Sequence, residues 1–588
     1  MNYIIGTSFG FHDSSAALLD EDANIIAVVD EERFSRIKHD NSFPSHCLDY
    51  LLSKYSINPD DIEKVCYYEN PSLKLSRIAQ QCANSSFRQF NKYFPSILSK
   101  YSRLDLSPQL QLSSYLGIPK NKIYISSHHI SHLCSSLYTS GFTEGDFVTL
   151  DGVGEIDTGS VGSFFYSKEM QSYKILFQKK MEFPNSIGLF YTALTQYLGF
   201  EVNEGEYKVM GLAPYGKPLY TGLLKKVFSR YDGLNTVLNK KYFPFNTLAN
   251  SSFTQEFVDL VGREPRRPEA HLELRSFSSA DKNKSADYFY ADMAASAQHI
   301  VQNLILQICS SQSSSDNLVC AGGVFYNSVA NGLIASQSEH NNFYIYPAAG
   351  DSGNSLGSAF AYLYSSHKRF IPKPLETIYL GRSFSKEDTT KYLNAQCIPY
   401  LDMSLDDCWN YLSSALFNKK VIAVFNGSAE HGPRALGNRS IIASPLHTDM
   451  KDIVNAKIKF RELFRPFAPV STCEESDKYF DIPSNRKVFE YMLATCQVNS
   501  QYKSKLPAVT HIDGSARLQI VSSSSNAFLY GLIKQFGKKS GVDVLLNTSF
   551  NVRGEPIVDS LHDALSTFYR TDIDYLYLNG CIVTKHLP

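Results

Sequence analysis

Two histidines at helical spacing are the first residues whose types could do chemistry. They stand in the run Ser127-His128-His129-Ile130-Ser131-His132. Residues four apart lie on one face of an α-helix, so the imidazoles of His128 and His132 can bind one metal ion. Alone this pair is weak evidence, because most histidines at this spacing are surface or core residues.

Two aspartates in glycine turns could complete a metal site. Asp151 begins the turn Asp151-Gly152-Val153-Gly154, and Asp351 lies in Gly350-Asp351-Ser352-Gly353. Two histidines and two carboxylates with open positions suit Fe(II), Mn(II) or Zn(II) and argue against copper. Each aspartate taken singly also suits a residue that caps its own turn. The four residues together predict a divalent-metal site.

Glycine-rich segments of the same half could hold a nucleotide. The segment 203–216 places carboxylates and Lys208 beside closely spaced glycines, which let a backbone approach a ribose and a phosphate. The turn Gly322-Gly323, followed by Asn327, could recognise adenosine. A loop with a helix cap explains the first segment equally well, and close helix–strand packing explains the second.

Basic side chains gather in the C-terminal half. Arg434 and Arg439 stand in the turn 430–440, where guanidinium groups can grip phosphate oxygens with paired donors. A run of charges is usually a solvated face, but aromatic and proline residues surround these, which indicates a walled anionic pocket. Further candidates are Lys457, Lys459, Arg461, Arg465, Arg517 and the segment Leu546–Gly554.

The elements that must position these residues follow from hydrophobic patterning. Alternating apolar residues predict a β-meander with strands at 3–7, 14–19 and 25–29. A related pattern of strand, acidic glycine turn and strand recurs at 147–166. The recurrence predicts a duplicated fold with a cleft between its halves.

Further along, an uninterrupted apolar pattern predicts a helix over 288–310. Strands at 318–321 and 343–347 end in glycine turns, where α/β folds place phosphates and ligands. The polar, proline-containing stretch 365–374 predicts a domain boundary. The polar region 235–284 is interpreted as an insertion or a lid.

Composition limits the classes of protein to consider. A chain of 588 residues predicts two to four domains, at about 100–200 residues per domain. The net charge of −1 lacks the broad positive field of a nucleic-acid binder. None of the 11 cysteines is spaced as CxxC, which argues against a zinc ribbon and favours a reducing compartment. We expect a soluble, cytoplasmic protein, because neither a signal peptide nor a membrane-spanning apolar stretch is evident.

The motifs together resemble those of the O-carbamoyltransferases of natural-product biosynthesis, the family of the tobramycin, cephamycin and nodulation-factor enzymes. His431 departs from the pattern, since an apolar residue is expected before Gly432. The resembling stretches cover the chain in the family's order and are His12–Ala17, His128–His132, Asp151–Glu155, Lys208–Gly216, Ala321–Asn327, Gly350–Gly357, Gly432–Ser440, Phe460–Val470 and Leu546–Glu555.

The resemblance implies an α/β protein of two domains. Residues 1–372 would form a duplicated ASKHA-type domain, similar to the proteins that transfer threonylcarbamoyl to tRNA. Residues 373–588 would form a YrdC-like domain. This second domain would convert carbamoyl phosphate and ATP, with Mg(II), into carbamoyl adenylate, which passes inside the protein to the first domain. There a hydroxyl of a small natural-product acceptor, of the kind found in antibiotic and other secondary-metabolite biosynthesis, takes the carbamoyl group and AMP leaves.

The same resemblance implies roles for individual residues. The metal, expected to be Fe(II), would be held by His128, His132, Asp151 and Asp351, with nucleotide phosphate oxygens completing the shell. His12 would act on the acceptor hydroxyl. The adenylate would be held by Lys208, Gly322, Gly323 and Asn327. Carbamoyl phosphate and ATP would be bound by Arg434, Lys459, Arg465, Arg517, Asn547, Ser549 and Arg553.

Other functions remain open at this point. An ATP-dependent kinase or chaperone of the ASKHA type would explain the glycine turns, but neither explains the arginines of the second domain. A tRNA-modifying protein is disfavoured by the net charge of −1. Neither nucleic acid nor membrane is an expected partner. A monomer or a homodimer is expected, and the acceptor cannot be read from the residues.

Overall fold

The computed structural model describes residues 2–102, 107–268, 272, 286–312, 315–459, 462 and 464–585. Among these, no helix is long and apolar enough to cross a membrane. The strands of the described residues are β1 Tyr3–Ser8, β2 Ser15–Leu19, β3 Ile25–Asp30, β4 Ile62–Tyr67, β5 Ile123–Ile125, β6 Glu144–Leu150, β7 Asp157–Ser167, β8 Ser172–Glu182, β9 Phe228–Arg230, β10 Val237–Leu238, β11 Asn317–Ala321, β12 Asn342–Ile345, β13 Leu401–Asp402, β14 Ile422–Phe425, β15 Arg439–Ala443, β16 Ala468–Thr472, β17 Phe480–Asp481, β18 Cys496–Val498, β19 Ser515–Ala516, β20 Gln519–Val521, β21 Val544–Ser549, β22 Tyr575–Leu578 and β23 Cys581–Thr584.

Helices alternate with these strands, as in mixed α/β proteins. The helices of the described residues are α1 Glu31–Ser35, α2 Ser45–Lys54, α3 Pro71–Asn84, α4 Phe87–Ser102, α5 Pro108–Leu116, α6 His128–Ser140, α7 Ile187–Tyr197, α8 Glu206–Leu212, α9 Thr221–Lys225, α10 Gln255–Val261, α11 Ala286–Ser310, α12 Ser328–Gln337, α13 Asn354–Ser365, α14 Lys386–Ala395, α15 Leu405–Phe417, α16 Met450–Val454, α17 Ser476–Tyr479, α18 Lys487–Glu490, α19 Ala527–Ser540 and α20 Leu561–Arg570.

The chain divides into two compact units. The first unit contains residues 1–10, 17–24 and 52–374, and the second contains 11–16, 25–51 and 375–588. The last segment of the first unit thus ends at Pro374. Two early segments that the sequence analysis placed in an N-terminal domain group instead with the second unit.

The first unit repeats one arrangement of strands. In one copy β1 pairs in parallel with β4, and β4 with β5, after which the chain enters α6. In the other copy β6 pairs in parallel with β11, and β11 with β12, after which the chain enters α13. Two further strands follow the first strand of each copy, β2 and β3 or β7 and β8. The predicted duplication is confirmed.

The equivalent helices α6 and α13 pack closely against each other. A Cβ on Gly357 of α13 would lie 1.9 Å from the carbonyl oxygen of Ser131 in α6, so only glycine fits there. In α6 every residue except Ile130 is buried, and small serines allow this approach. The crossing brings together the start of α6, which carries His128 and His132, and the start of α13, which the turn with Asp351 precedes.

The second unit is built on a sheet in the order β13-β23-β22-β14-β15-β21-β16-β20. Helices α15 and α19 cover this sheet. Their apolar side chains, which include Leu412 and Leu416 of α15 and Phe536 of α19, form a core with the strands. Both helices begin at capping side chains, since Ser404 accepts from the amide of Asp407 and Asn526 from that of Leu529. The expected α/β class is confirmed.

Several predicted elements are confirmed with shifted ends. The helix expected at 288–310 is α11, and the strand expected at 343–347 is β12. Within the predicted insertion 235–284, residues 269–271 and 273–285 lie outside the described residues. Its described part holds β10 and α10.

Candidate functional site

The four candidate metal ligands meet in the first unit. One side-chain atom from each of His128, His132, Asp151 and Asp351 lies within 4.8 Å of the others. The Nε2 atoms of the two histidines are 3.0 Å apart. His128 Nε2 lies 3.1 Å from Asp151 Oδ2, and His132 Nε2 lies 3.3 Å from Asp351 Oδ1.

Their position follows from local structure. Both histidines lie in the first two turns of α6, so the predicted i, i+4 pair is a helical one. Asp151 directly follows β6, and Asp351 opens the short turn before α13. Strand ends and helix starts of both copies therefore supply the ligands.

The electrostatics of this cluster favour a cation. Burial by itself lowers the pKa of His132, but hydrogen bonds and charges of Asp151 and Asp351 outweigh it and raise that pKa to about 9. Burial favours the neutral acid of Asp151, yet its hydrogen bonds to His128 and His132 hold its pKa well below the usual value. The carboxylates of Asp351, which is buried, and Asp151, which is partly buried, thus attract positive charge to this point.

A divalent ion fits the donor set. Two nitrogens at about 2.1 Å from one ion and at right angles are about 3.0 Å apart, which matches the 3.0 Å between the two Nε2 atoms. Neutral imidazoles and carboxylates are ligands of first-row divalent metals. His128, His132, Asp151 and Asp351 can therefore hold a metal ion.

Glu155 binds the backbone at the start of α6, the helix that carries both histidines. Its carboxylate accepts the backbone N–H of His128 at 3.2 Å and also that of Asn70. The negative group thus lies at the N-terminus of α6, where the helix dipole favours it. Burial raises the pKa of Glu155. The sequence analysis assigned no role to Glu155. Its position four residues after Asp151, at the end of the same glycine turn, was the signal that could have identified it.

The glycine turn after β11 joins the metal cluster. The backbone N–H of Gly323 donates to Asp151 Oδ1 at 3.1 Å, so one carboxylate links both features. Gly322 has a φ of +100°, and a Cβ there would lie 2.1 Å from the carbonyl oxygen of Leu150. Close packing therefore accounts for Gly322.

Asn327 directly precedes α12, and Lys208 lies in α8. Asn327 caps α12 by accepting from the amide of Ala330 at 3.0 Å, and its amide pairs in both directions with Gln298. Its side chain therefore already has a structural task. Lys208 lies in α8, with its Nζ 5.9 Å from the centre of the Phe200 ring.

The predicted anion-binding residues of the second unit converge on one edge of its sheet. Strands β15 and β16 are both antiparallel to β21, and β20 is parallel to β16. The starts of β15, β16 and β20 therefore lie beside the end of β21. Arg434, Arg465 and Arg517 precede those three starts, and Asn547 and Ser549 occupy the end of β21.

Lys459 is held at this edge. Its buried ammonium donates to Ser549 Oγ at 3.1 Å, to Asn551 Oδ1 at 2.8 Å and to the Asn551 carbonyl at 3.0 Å, and also to the Ser549 carbonyl. The lysine thereby shapes the loop after β21 while placing a positive charge beside it. Asn547 donates to the carbonyl of Ala435 and to Gln519, which connects the loop to the arginine turn.

Two of the predicted arginines face an acidic residue that sequence reasoning missed. Arg465 lies 3.8 Å and Arg553 3.7 Å from opposite carboxylate oxygens of Glu462. Arg553 is 61% exposed, so it can change partners at little cost. Residues 460, 461 and 463 of the same segment lie outside the described residues.

Arg439 does not act as expected. Its side chain is fully buried and donates to the carbonyls of Asn426, Asn438, Arg382 and Gly427. Both terminal nitrogens are thus committed to the backbone. The expectation that it grips phosphate together with Arg434 is wrong, because burial gave the guanidinium a structural role.

Family models match both parts of the chain. The model described as Carbamoyltransferase N-terminus matches residues 3–360, and that described as Carbamoyltransferase C-terminus matches residues 413–585. The chain belongs to the carbamoyltransferase family. The expected family and the expected enzyme class are confirmed.

Two relatives of this carbamoyltransferase cover nearly its whole length, and a third covers about half of it. The Synechocystis protein sll1178 is 35% identical over 100% of this chain and 97% of its own. Nodulation protein NolNO of Sinorhizobium fredii is 31% identical over 98% of this chain and 79% of its own. Nodulation protein U of Rhizobium tropici is 35% identical over 46% of this chain and 44% of its own.

Two solved structures resemble this carbamoyltransferase distantly. HypF of T. kodakarensis is 12% identical with a TM-score of 0.28, over 62% of this chain and 48% of its own. The (R)-2-hydroxyglutaryl-CoA dehydratase component A of Acidaminococcus fermentans is 11% identical with a TM-score of 0.29, over 62% of this chain and 99% of its own. At such TM-scores the likeness carries no weight here.

Proposed function

We propose that this carbamoyltransferase is an ATP-dependent O-carbamoyltransferase acting through carbamoyl adenylate. Carbamoyl phosphate and water give carbamate and inorganic phosphate, and carbamate with ATP gives carbamoyl adenylate and pyrophosphate. An alcohol oxygen then bonds to the carbamoyl carbon while the bond to AMP breaks. The products are an O-carbamate and AMP, which carries the electron pair of the broken bond.

The observation that carries this proposal is the convergence of His128, His132, Asp151 and Asp351 in a chain of this family. A divalent ion held there, which we propose to be Fe(II), would polarise the carbamoyl carbonyl and neutralise the departing phosphate. The residues themselves contribute a mostly buried cluster with two carboxylates. Asp151 links it to Gly323, and the nucleotide would lie on that turn, with Lys208 as a further contact.

The second unit is proposed to form the adenylate. Carbamate attack on the α-phosphate of ATP builds negative charge, which fixed cations stabilise. Arg434, Arg465 and Arg517 come to one edge of the sheet, beside the loop that Lys459 shapes. Arg553 would leave Glu462 to contact a phosphate, since its contact is long and its side chain exposed.

His12 is proposed to take the proton from the acceptor hydroxyl. A histidine can do so because its ordinary pKa lies near neutrality. The carbamoyltransferase family, whose models match both parts of the chain, supports a small-molecule acceptor. Mg(II) would accompany ATP.

Isotope exchange tests the first half-reaction without the acceptor. Full-length protein with ATP and radiolabelled pyrophosphate should incorporate label into ATP only when carbamoyl phosphate is added. Exchange that needs threonine and bicarbonate instead would favour threonylcarbamoyl chemistry.

The second half-reaction needs a panel of hydroxylated metabolites, with AMP and ADP separated by chromatography. We expect one class of alcohol to release AMP. Formation of ADP together with a phosphorylated alcohol would refute the proposal and indicate a kinase.

A further inference from the structure

One carboxylate of the second unit holds two imidazoles. Asp13 Oδ2 lies 2.9 Å from His12 Nδ1, and Asp13 Oδ1 lies 2.7 Å from His39 Nδ1. These are distances of hydrogen bonds to an ionised acceptor. The side chains of His12 and Asp13 are each 27% exposed, so a small molecule can reach them while the protein still orders them.

The backbone around Asp13 is fixed by a neighbouring segment. Asp13 has a φ of +54°, in the left-handed region that costs a non-glycine residue about 1 kcal/mol. The next residue, Ser14, donates its N–H to the carbonyl of Asp40 and its hydroxyl to the carbonyl of Ser42, both at 2.7 Å. The backbone that carries the Asp13 carboxylate is therefore fixed by hydrogen bonds to the segment 40–42.

His39 secures the other end of the arrangement. Its backbone N–H donates to Glu32 Oε2 at 2.9 Å. Its hydrogen bond to Asp13 raises the pKa of His39. In Asp13, burial favours the neutral acid, but the hydrogen bonds from His12 and His39 keep its pKa below the usual value. Asp13 therefore remains an ionised acceptor.

The geometry decides which nitrogen of His12 carries the proton. A neutral imidazole has one N–H donor and one bare acceptor nitrogen, and an ionised carboxylate only accepts. The nitrogen that faces Asp13 is Nδ1, so it must carry the hydrogen. Nε2 then holds the lone pair that a general base needs.

We propose that Asp13 is a positioning residue that holds His12 in its Nδ1–H tautomer and thereby aims a basic Nε2 at the acceptor hydroxyl. The inference rests on the proposed function, in which His12 is the base. The hydroxyl proton moves to Nε2 as the oxygen bonds to the carbamoyl carbon. The bond from that carbon to the AMP oxygen breaks, and its electron pair leaves with AMP.

The tautomer can be measured on the full-length protein without any ligand. Histidine labelled with ¹⁵N distinguishes a protonated from a bare ring nitrogen by chemical shift, and His12→Gln assigns the signal. We expect Nδ1–H in the unmodified protein. In Asp13→Asn the new amide can donate to Nδ1, so the proton should move to Nε2.

Three further variants separate positioning from a structural effect. Asp49→Asn neutralises an exposed carboxylate of the same unit and should leave the tautomer unchanged. His39→Asn keeps a donor near the Nδ1 position and should preserve the Nδ1–H tautomer of His12. His39→Ala removes this donor to Asp13 and should lower the population of that tautomer. Exchange of pyrophosphate into ATP should stay within about twofold in Asp13→Asn, since that step does not use a base at the alcohol.

The rate of AMP release should depend on the tautomer of His12. With glycerol as the probe alcohol, we expect AMP release by Asp13→Asn to fall by about 100-fold or more. An Nε2–H tautomer in the unmodified protein, an unchanged tautomer in Asp13→Asn, or unchanged AMP release by that variant would each overturn the inference. Absence of pyrophosphate exchange in the unmodified protein would instead refute the proposed function and leave the tautomer result standing.

Discussion

We expect Arg439→Ala to destabilise the second unit, while Arg434→Ala abolishes adenylate formation with little effect on stability. The two arginines are five positions apart in one turn. Arg439 is fully buried and donates to four carbonyls, whereas Arg434 is partly exposed at the proposed phosphate site. Burial lowers the pKa of Arg439 to about 10, so the group stays charged at neutral pH.

The size of the effect follows from the hydrogen bonds. The carbonyls of Arg382 and Asn438 also accept from Ala429 N–H and Asn426 N–H, so they keep a donor. The carbonyls of Asn426 and Gly427 lose the guanidinium as a donor, which lowers the free energy of unfolding by about 1–3 kcal/mol each. Loss of the stacking of Arg439 on Phe425, where the guanidinium carbon is 3.6 Å from the ring centre, adds to this cost. We expect about 4 kcal/mol in total, or an unfolding temperature about 10 °C lower.

Scanning calorimetry and pyrophosphate exchange on the full-length variants test this prediction. Arg439→Lys keeps the charge but not the planar fork and should give an intermediate loss of stability. If Arg439→Ala does not fold, this variant still decides the question. The reasoning is refuted if an Arg439 variant unfolds at the temperature of the unmodified protein yet loses exchange, since the guanidinium would then serve a ligand.

The remaining predictions concern the metal cluster, the lysine of the second unit and pH. His132→Ala should lower Fe(II) affinity about 100-fold or more, measured by calorimetric titration, and leave pyrophosphate exchange intact; loss of exchange would contradict the two-site assignment. Lys459→Met should reduce exchange about 100-fold or more; retained exchange would exclude a role for its charge. Burial and Arg517 lower the pKa of His511 to about 4, although Asp513 opposes them. The unfolded chain then binds this proton first as pH falls, so stability should decline from about pH 6.5 to about pH 4 and be level below it. His511→Gln should flatten that decline in melting temperature, and an unchanged slope would show that other groups cause it.

Local patterns predicted much of the candidate metal site. The i, i+4 spacing of His128 and His132 needs only a helix, and α6 provides it. Asp151 and Asp351 were found because acidic residues in glycine turns after strands are recognisable by themselves. That these turns lie together depends on the packing of two sheets and was an expectation only.

Structural tasks of polar side chains were not visible in the sequence. A guanidinium at Arg439 and one at Arg434 look alike in a sequence, and only burial separates them. Asn327 is a helix cap, a role that depends on where α12 begins. The contact between Asp13 and His39 joins residues 26 positions apart and follows no local period.

The amino-acid sequence alone determined the family, the α/β class and the helical histidine pair, because these depend on short-range periodicity and on ordered motifs. The tertiary structure alone decided which polar groups meet and which are taken by the backbone. The physical reason is that a hydrogen bond or a metal site requires atoms within a few ångströms, and chain separation does not set that distance. Asp13, shared between His12 and His39, illustrates this dependence on folding.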